Sequence, residues 1–194
     1  ATSIAHREGG IYLNSATARQ RLEVSRKDLW PWIDEDTVLV AADRWIDART
    51  TLEVGGVQFV LEPVGPSHTP EDLAVYVPSE RVLFAGDLVF RGRIPFVGNA
   101  DSRHWIDSLD RLIDFDVDTI VPGHGGASHE PKTDLRLTRD YLQYLRDAMR
   151  EAATNLEPFD AAYEATDWSR FSHLPLFEAA NRMNAYNTFL LMEQ

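Results

Sequence analysis

Between residues 49 and 121 the chain is cut into short apolar, β-branched runs, each closed by a turn rich in Gly, Pro or charged residues. That pattern builds a sheet of short strands around one inserted helix. It leaves no room for a membrane span, which needs roughly 18 consecutive apolar residues. Residues 49–54 and 57–64 flank Gly55-Gly56 and read as a hairpin. Residues 73–77 (LAVYV) are apolar throughout, as in a strand covered on both faces. After the turn at residues 78–81, another such run follows at 82–85. Residues 118–121 form a further run that stops at Pro122, and residues 37–42 an additional short strand.

The remainder is helical in pattern. Over residues 103–115, Trp105, Leu109, Leu112 and Ile113 fall at i, i+4, i+7 and i+8, one face of a helix. Residues 133–155 form the longest helical stretch, with Leu135, Leu142, Leu145 and Met149 near one stripe and Pro158 beyond its end. Residues 176–192 close the chain as a second long helix behind Pro175. Residues 11–22 are polar and partly helix-compatible, and Ser25-Arg26-Lys27-Asp28 is a weak helix start cut short by Pro31. No repeat or linker divides the 194 residues, so they read as one domain, β-rich over 1–130 with a helical tail over 131–194. The expected class is α/β, helices covering a sheet.

The net charge of −12 argues against nucleic acid and anionic membrane as partners, because both recruit clustered positive charge. A small-molecule substrate is the partner expected instead. There is no cysteine, which excludes thiolate zinc sites, disulfides and a thiol nucleophile. No signal peptide is visible, so a soluble chain is expected, cytoplasmic or periplasmic.

Three turns carry candidate chemistry. His68 lies in Ser67-His68-Thr69-Pro70, just past the run at 57–64. Asp87 follows Val82-Leu83-Phe84-Ala85-Gly86 inside an otherwise apolar stretch, where a carboxylate is costly unless paired or bound to a cation. His124 sits in Pro122-Gly123-His124-Gly125-Gly126, whose glycines allow backbone angles that other residues resist. Two imidazoles and a carboxylate, each at the end of a strand, suit zinc, with iron or manganese as alternatives. A carboxylate can bridge two ions, and two ions can lower the pKa of water to roughly 7 and generate a hydroxide nucleophile. Each residue also has a plain structural reading, as a loop histidine, a strand-end aspartate and a glycine-rich turn. Arg93 and Phe96, in the Arg91-Gly92-Arg93-Ile94-Pro95-Phe96 loop after Asp87, are the candidate substrate-binding residues for an acidic or amide-bearing ligand. His104 reads as a cap or surface residue, and His129 as either a support for His124 or a surface residue. His6 and His173 carry no assignment.

The segments Gly65-Pro66-Ser67-His68-Thr69-Pro70-Glu71-Asp72, Val82-Leu83-Phe84-Ala85-Gly86-Asp87 and Val121-Pro122-Gly123-His124-Gly125 resemble the later motifs of the metallo-β-lactamase superfamily. The residues 91–103 and the helical tail look like its quinoprotein-relay-type and β-lactamase-like zinc metallohydrolases. The resemblance implies the C-terminal portion of an αββα sandwich. It also implies roles: His68 as a ligand of a first metal, Asp87 as the bridging aspartate, His124 as a ligand of the second. The superfamily's His-x-His-x-Asp-His motif occurs nowhere in these residues. Ala5-His6 resembles sequence found shortly after that motif, so the chain is expected to be an incomplete domain beginning just past it. Two functions follow as expectations. One is a metal-dependent hydrolase portion, impaired on its own. The alternative is a non-enzymatic half-domain that uses an exposed face for self-association, as a homo-oligomer or a domain-swapped pair.

Overall fold

The structure, a computed structural model, describes residues 2–193. In chain order the elements are β1 (Ile4–His6), α1 (Glu8–Leu13), α2 (Ala16–Asp28), β2 (Arg44–Ile46), β3 (Thr50–Val54) and β4 (Val57–Pro63). These are followed by β5 (Leu73–Val77), β6 (Val82–Phe90), α3 (Ser102–Ile113), β7 (Thr119–His124), α4 (Pro131–Asn155), α5 (Phe159–Ala165) and α6 (Phe177–Met192). The strands β3 to β7 form one sheet in sequence order, and β1 pairs with β2 in parallel apart from it. The fold is α/β, as the sequence predicts.

The hairpin is where the Gly-Gly pair places it. Val54 faces Val57 across Gly55 and Gly56, both at positive φ, the conformation a two-residue hairpin turn demands. β4, β5 and β6 then pair antiparallel, while β7 returns parallel to β6 by way of α3. Asp101 starts α3, its Oδ1 accepting from the amides of Arg103 and His104 at 3.1 Å each. Trp105, Leu109 and Leu112 point into the core as the helical spacing requires, with Ile113 partly buried beside them. On α4, Leu135, Leu142, Leu145 and Met149 are all fully buried. Together with Leu83, Val89, Phe90 and Ile120 of the sheet they form one core. Each such side chain contributes roughly 1.5–3 kcal/mol by leaving water.

Several elements differ from the sequence reading. Residues 37–42 form no strand, and Val38 and Val40 stay exposed, because no neighbouring strand pairs with them. Ser25 lies inside α2, which starts at Ala16 and is capped by Ser15, whose hydroxyl accepts from the Ala18 amide at 3.1 Å. The turn at residues 68–72 is held as expected, Asp72 accepting from both the amide and the hydroxyl of Thr69. Strand β6 does not stop at Ala85 but runs on through Gly86 and Asp87 to Phe90, and β7 runs through Pro122 and Gly123 to His124. The two strands stay paired by slipping register. Phe84 faces Val121, Gly86 faces Pro122, and Phe90 faces His124, so β6 carries extra residues opposite β7. Irregularities of this kind re-aim side chains beside functional sites. This one turns Asp87 out of the ladder toward His124. Among the described residues, no helix is long and apolar enough to cross a membrane.

Candidate metal centre

His124 Nε2 and Asp87 Oδ1 stand 3.5 Å apart at the ends of β7 and β6. That is long for a hydrogen bond. It is close to the roughly 3.4 Å that separates two donors of one tetrahedral ion bound at about 2.1 Å. Both side chains are open to solvent, at 43% and 45% exposure, so a cation can reach them. Gly123 makes the approach possible. A Cβ there would overlap Asp87 Oδ1 and stand 2.6 Å from Gly86 C and 2.7 Å from Asp87 N. Gly86, at φ +56, has open space where a side chain would be, so it serves the backbone turn and not the close approach.

Phe90 lies beneath the site. The His124 ring stacks on it at 4.6 Å and 18°, and the His68 ring packs against it at 5.6 Å. His68 also meets Trp105 edge-on at 5.2 Å. Trp105 is itself fixed by its indole N–H, which donates to Leu88 O at 3.1 Å. The Nδ1 of His68 is buried and finds no hydrogen-bond partner among the described residues, which native structures rarely tolerate without a use for the atom. Yet no three His, Asp or Glu side chains among the described residues gather closely enough to hold an ion. Asp87 and His124 therefore fit a metal as a pair, and His68 stands on the same aromatic floor outside the pair. The donor types suit zinc, iron or manganese; the set is partial.

Arg91 ties the His124 turn to α4. Its amide donates to His124 O at 2.9 Å, and its guanidinium meets the buried Asp134 carboxylate at 3.4 Å. The guanidinium of Arg93 lies over the Phe90 ring at 5.3 Å, the ring on which His124 stacks, and its buried Nε has no partner. Phe96 lines a cavity of about 530 Å³ together with His68, Pro70, Tyr12, Ile11 and Arg21. That volume lies within the range of small-molecule sites.

The sequence reading missed what holds the Phe96 loop. Asn184 of α6 is fully buried; its Oδ1 accepts from the Val97 amide at 2.9 Å and its Nδ2 donates to Pro95 O at 2.7 Å. The same Nδ2 donates to Tyr141 OH at 3.0 Å, and Tyr141 donates to Asn181 Oδ1 at 2.9 Å. One side chain thus clamps both neighbours of Phe96. The signal was present in Asn181, Asn184 and Thr188, polar residues at i, i+3 and i+7 on the buried face of α6. The other histidines sit elsewhere. His104 Nδ1 is 2.6 Å from Asp101 Oδ2, and His129 Nδ1 is 3.1 Å from Thr119 Oγ1 on the exposed surface. His6 Nδ1 accepts from the Glu8 amide, and His173 is exposed.

The chain is 36% identical over 90 residues to the 2,4-dinitroanisole O-demethylase subunit alpha of Nocardioides sp. (strain JS1661), covering 46% of this chain and 27% of that protein. It is 32% identical over 121 residues to the linear primary-alkylsulfatase of Pseudomonas sp. (strain ATCC 19151), covering 57% and 22%. The chain thus spans about a quarter of the length of these two curated relatives. A metallo-beta-lactamase family protein from Thermus thermophilus matches 99% of this chain and 65% of its own, with a TM-score of 0.64 and 19% identity. The inverting sec-alkylsulfatase Pisa1 from Pseudomonas sp. matches 80% and 27%, with a TM-score of 0.64 and 18% identity. At such identities the two structures show a shared fold. A family model described as the metallo-beta-lactamase superfamily matches residues 11–124, which enclose His68, Asp87 and His124. The chain belongs to the metallo-beta-lactamase superfamily.

Proposed function

We propose that these residues are part of a metal-dependent hydrolase, with zinc the favoured ion and iron or manganese the alternatives. Asp87 and His124 hold the ion, and His68 joins the set when donors from outside these 194 residues complete it. The observation that carries the reading is the 3.5 Å approach of His124 to Asp87 across Gly123. When bound, the ion supplies Lewis acidity and lowers the pKa of water toward roughly 7. The chain's own residues do the rest. Phe90 and Trp105 close the site from behind and exclude water from the core side. Arg93, with an unpartnered buried Nε, orients an anionic or amide oxygen of the substrate. Phe96 and the cavity beside His68 take its apolar body. Substrates of this design are esters, lactams, thioesters and related small molecules. The alkylsulfatase named among the relatives agrees with an anionic group facing Arg93.

Because the pair falls short of a full ligand set, these residues alone are expected to bind zinc weakly and to be nearly inactive. Isothermal titration with zinc tests this. Weak binding that is lost in Asp87→Asn and His124→Gln supports the reading. Stoichiometric binding of two ions with robust turnover by the isolated residues contradicts the incomplete-site account.

A second reading is a non-enzymatic module for self-association. It draws on the exposed Trp30, Trp32, Val38 and Val40, with Trp32 at 86% exposure. Light scattering decides here. Concentration-dependent dimers that persist when His68, Asp87 and His124 are all replaced by alanine favour the module. A monomer at high concentration removes it.

A further inference from the structure

Between α3 and α4 a cavity of about 330 Å³ is lined by Arg103, Ile106, Asp107, Gln143, Arg146 and Arg150. Gln143, Arg146 and Arg150 recur at i, i+3 and i+7, so α4 presents them as one stripe. In a chain of net charge −12, most arginines are matched with carboxylates, as Arg139 is with Asp110 and Asp140 and Arg182 with Asp160. This cavity departs from that rule. Arg150 is paired, with Asp147 at 2.7 Å, but neither Arg103 nor Arg146 makes an ion pair among the described residues. The nearby acids are largely engaged elsewhere. Asp101 caps α3 and holds His104, and Asp147 accepts from both Gln143 and Arg150. Of these acids, Asp107, on the exposed rim, makes no ion pair among the described residues.

Arg146 is also held in place. Its Nη1 donates to Ser102 Oγ at 3.0 Å, and Ser102 is fully buried at the start of α3. Burial chiefly pushes the Arg146 proton affinity below its ordinary value; Asp101, the next influence, acts against it, Arg103 and Arg150 act with it, and Asp147 opposes it weakly. Like charges gathered around a cavity cost free energy that an anion relieves, and guanidinium forks match oxyanions in shape.

We infer that the α3–α4 cavity is a binding site for a compact oxyanion, a phosphate or phosphate monoester, held by Arg103 and Arg146. The site is separate from Asp87 and His124 and does not depend on the hydrolase reading. Nuclear magnetic resonance titration of the 15N-labelled chain tests it, with inorganic phosphate in one arm and phenyl phosphate in the other, at ionic strength held constant with sodium chloride. Saturable shifts centred on the side-chain N–H signals of Arg103 and Arg146 are expected in both arms. Tighter binding of phenyl phosphate assigns the site to an organic phosphate ester, and equal binding assigns it to free phosphate. Arg146→Gln removes one charge-assisted contact and is expected to weaken binding about tenfold. Arg103→Gln, at an exposed side chain, gives the same test if loss of the Ser102 contact unfolds the first variant. Arg136→Gln, on α4 outside the cavity, leaves binding unchanged. Shifts that never saturate, that are equal in both cavity variants and the wild type, or that centre on Arg93 overturn the proposal.

Discussion

Replacing Gly123 by alanine adds one methyl group at the tightest point of the candidate metal centre. The new Cβ overlaps the Asp87 carboxylate and stands 2.6 Å from Gly86 C and 2.7 Å from Asp87 N. The carboxylate can rotate away, but the Gly86 and Asp87 backbone can yield only by disturbing β6, which pairs with β7 at Gly86 and with β5 just before it, at residues 82–84. Strand β7 must therefore move off β6, and Asp87 and His124 separate. Overpacking of rigid neighbours costs about 3 kcal/mol, the upper part of the usual range. Gly86→Ala is the internal control. Gly86 has φ +56 and nothing within contact, so an alanine there pays only the left-handed backbone, about 1 kcal/mol. In urea, with a slope of roughly 3 kcal/mol per molar, Gly123→Ala should lower the midpoint by about 1 M and Gly86→Ala by about a third of that. Equilibrium denaturation followed by tryptophan fluorescence reads both. A Gly123→Ala midpoint equal to the wild type, or lowered less than that of Gly86→Ala, refutes the claim that β6 and β7 close on each other here.

Asp101→Ala removes the α3 cap and is expected to cost about 1 kcal/mol at pH 7. Burial alone would raise the Asp101 carboxyl, but hydrogen bonds from the His104 amide and ring and the Arg103 amide hold it below its ordinary value. Its contribution is thus present above the ordinary carboxylate value near 4 and is lost as pH falls through the lowered folded-state value, so the gap between wild type and variant should shrink on acidification in urea titrations. Burial chiefly raises the Tyr141 phenol above its ordinary value, so folding stability should fall as pH rises beyond about 10, and Tyr141→Phe should lose that slope. Asn184→Ala leaves Pro95 O and the Val97 amide without partners and should destabilise by about 2 kcal/mol, with faster hydrogen exchange at Val97 than at Leu83 of the sheet.

The parts of the fold legible in the sequence are those whose signals are local. Gly55-Gly56 marks a hairpin because the turn needs positive φ, and the stripes on α3 and α4 follow helical spacing. What stays hidden depends on distant partners. Pro122 and Gly123 read as the end of a strand, yet β7 continues through them because β6 slips register to meet it. The apolar run at 37–42 reads as a strand and is not one, because pairing and not composition makes a strand. The three-residue strands β1 and β2 are too short to leave a pattern. At the site, His68, Asp87 and His124 are recognisable as chemistry at strand ends. Their spacing is not: the structure draws Asp87 and His124 together and leaves His68 outside the pair, packed on Phe90 and Trp105. The Asn184 clamp is invisible until α6 packs against the Phe96 loop.

Metal binding by the proposed Asp87–His124 pair can be read from long-range proton–nitrogen spectra of the six histidine rings during a zinc titration. The ring nitrogens of His124 should shift first and most and those of His68 next, while His6, His104, His129 and His173 stay in place, with the His124 response abolished in Asp87→Asn. Equal shifts at all six rings, or a His124 response that survives Asp87→Asn, would contradict it.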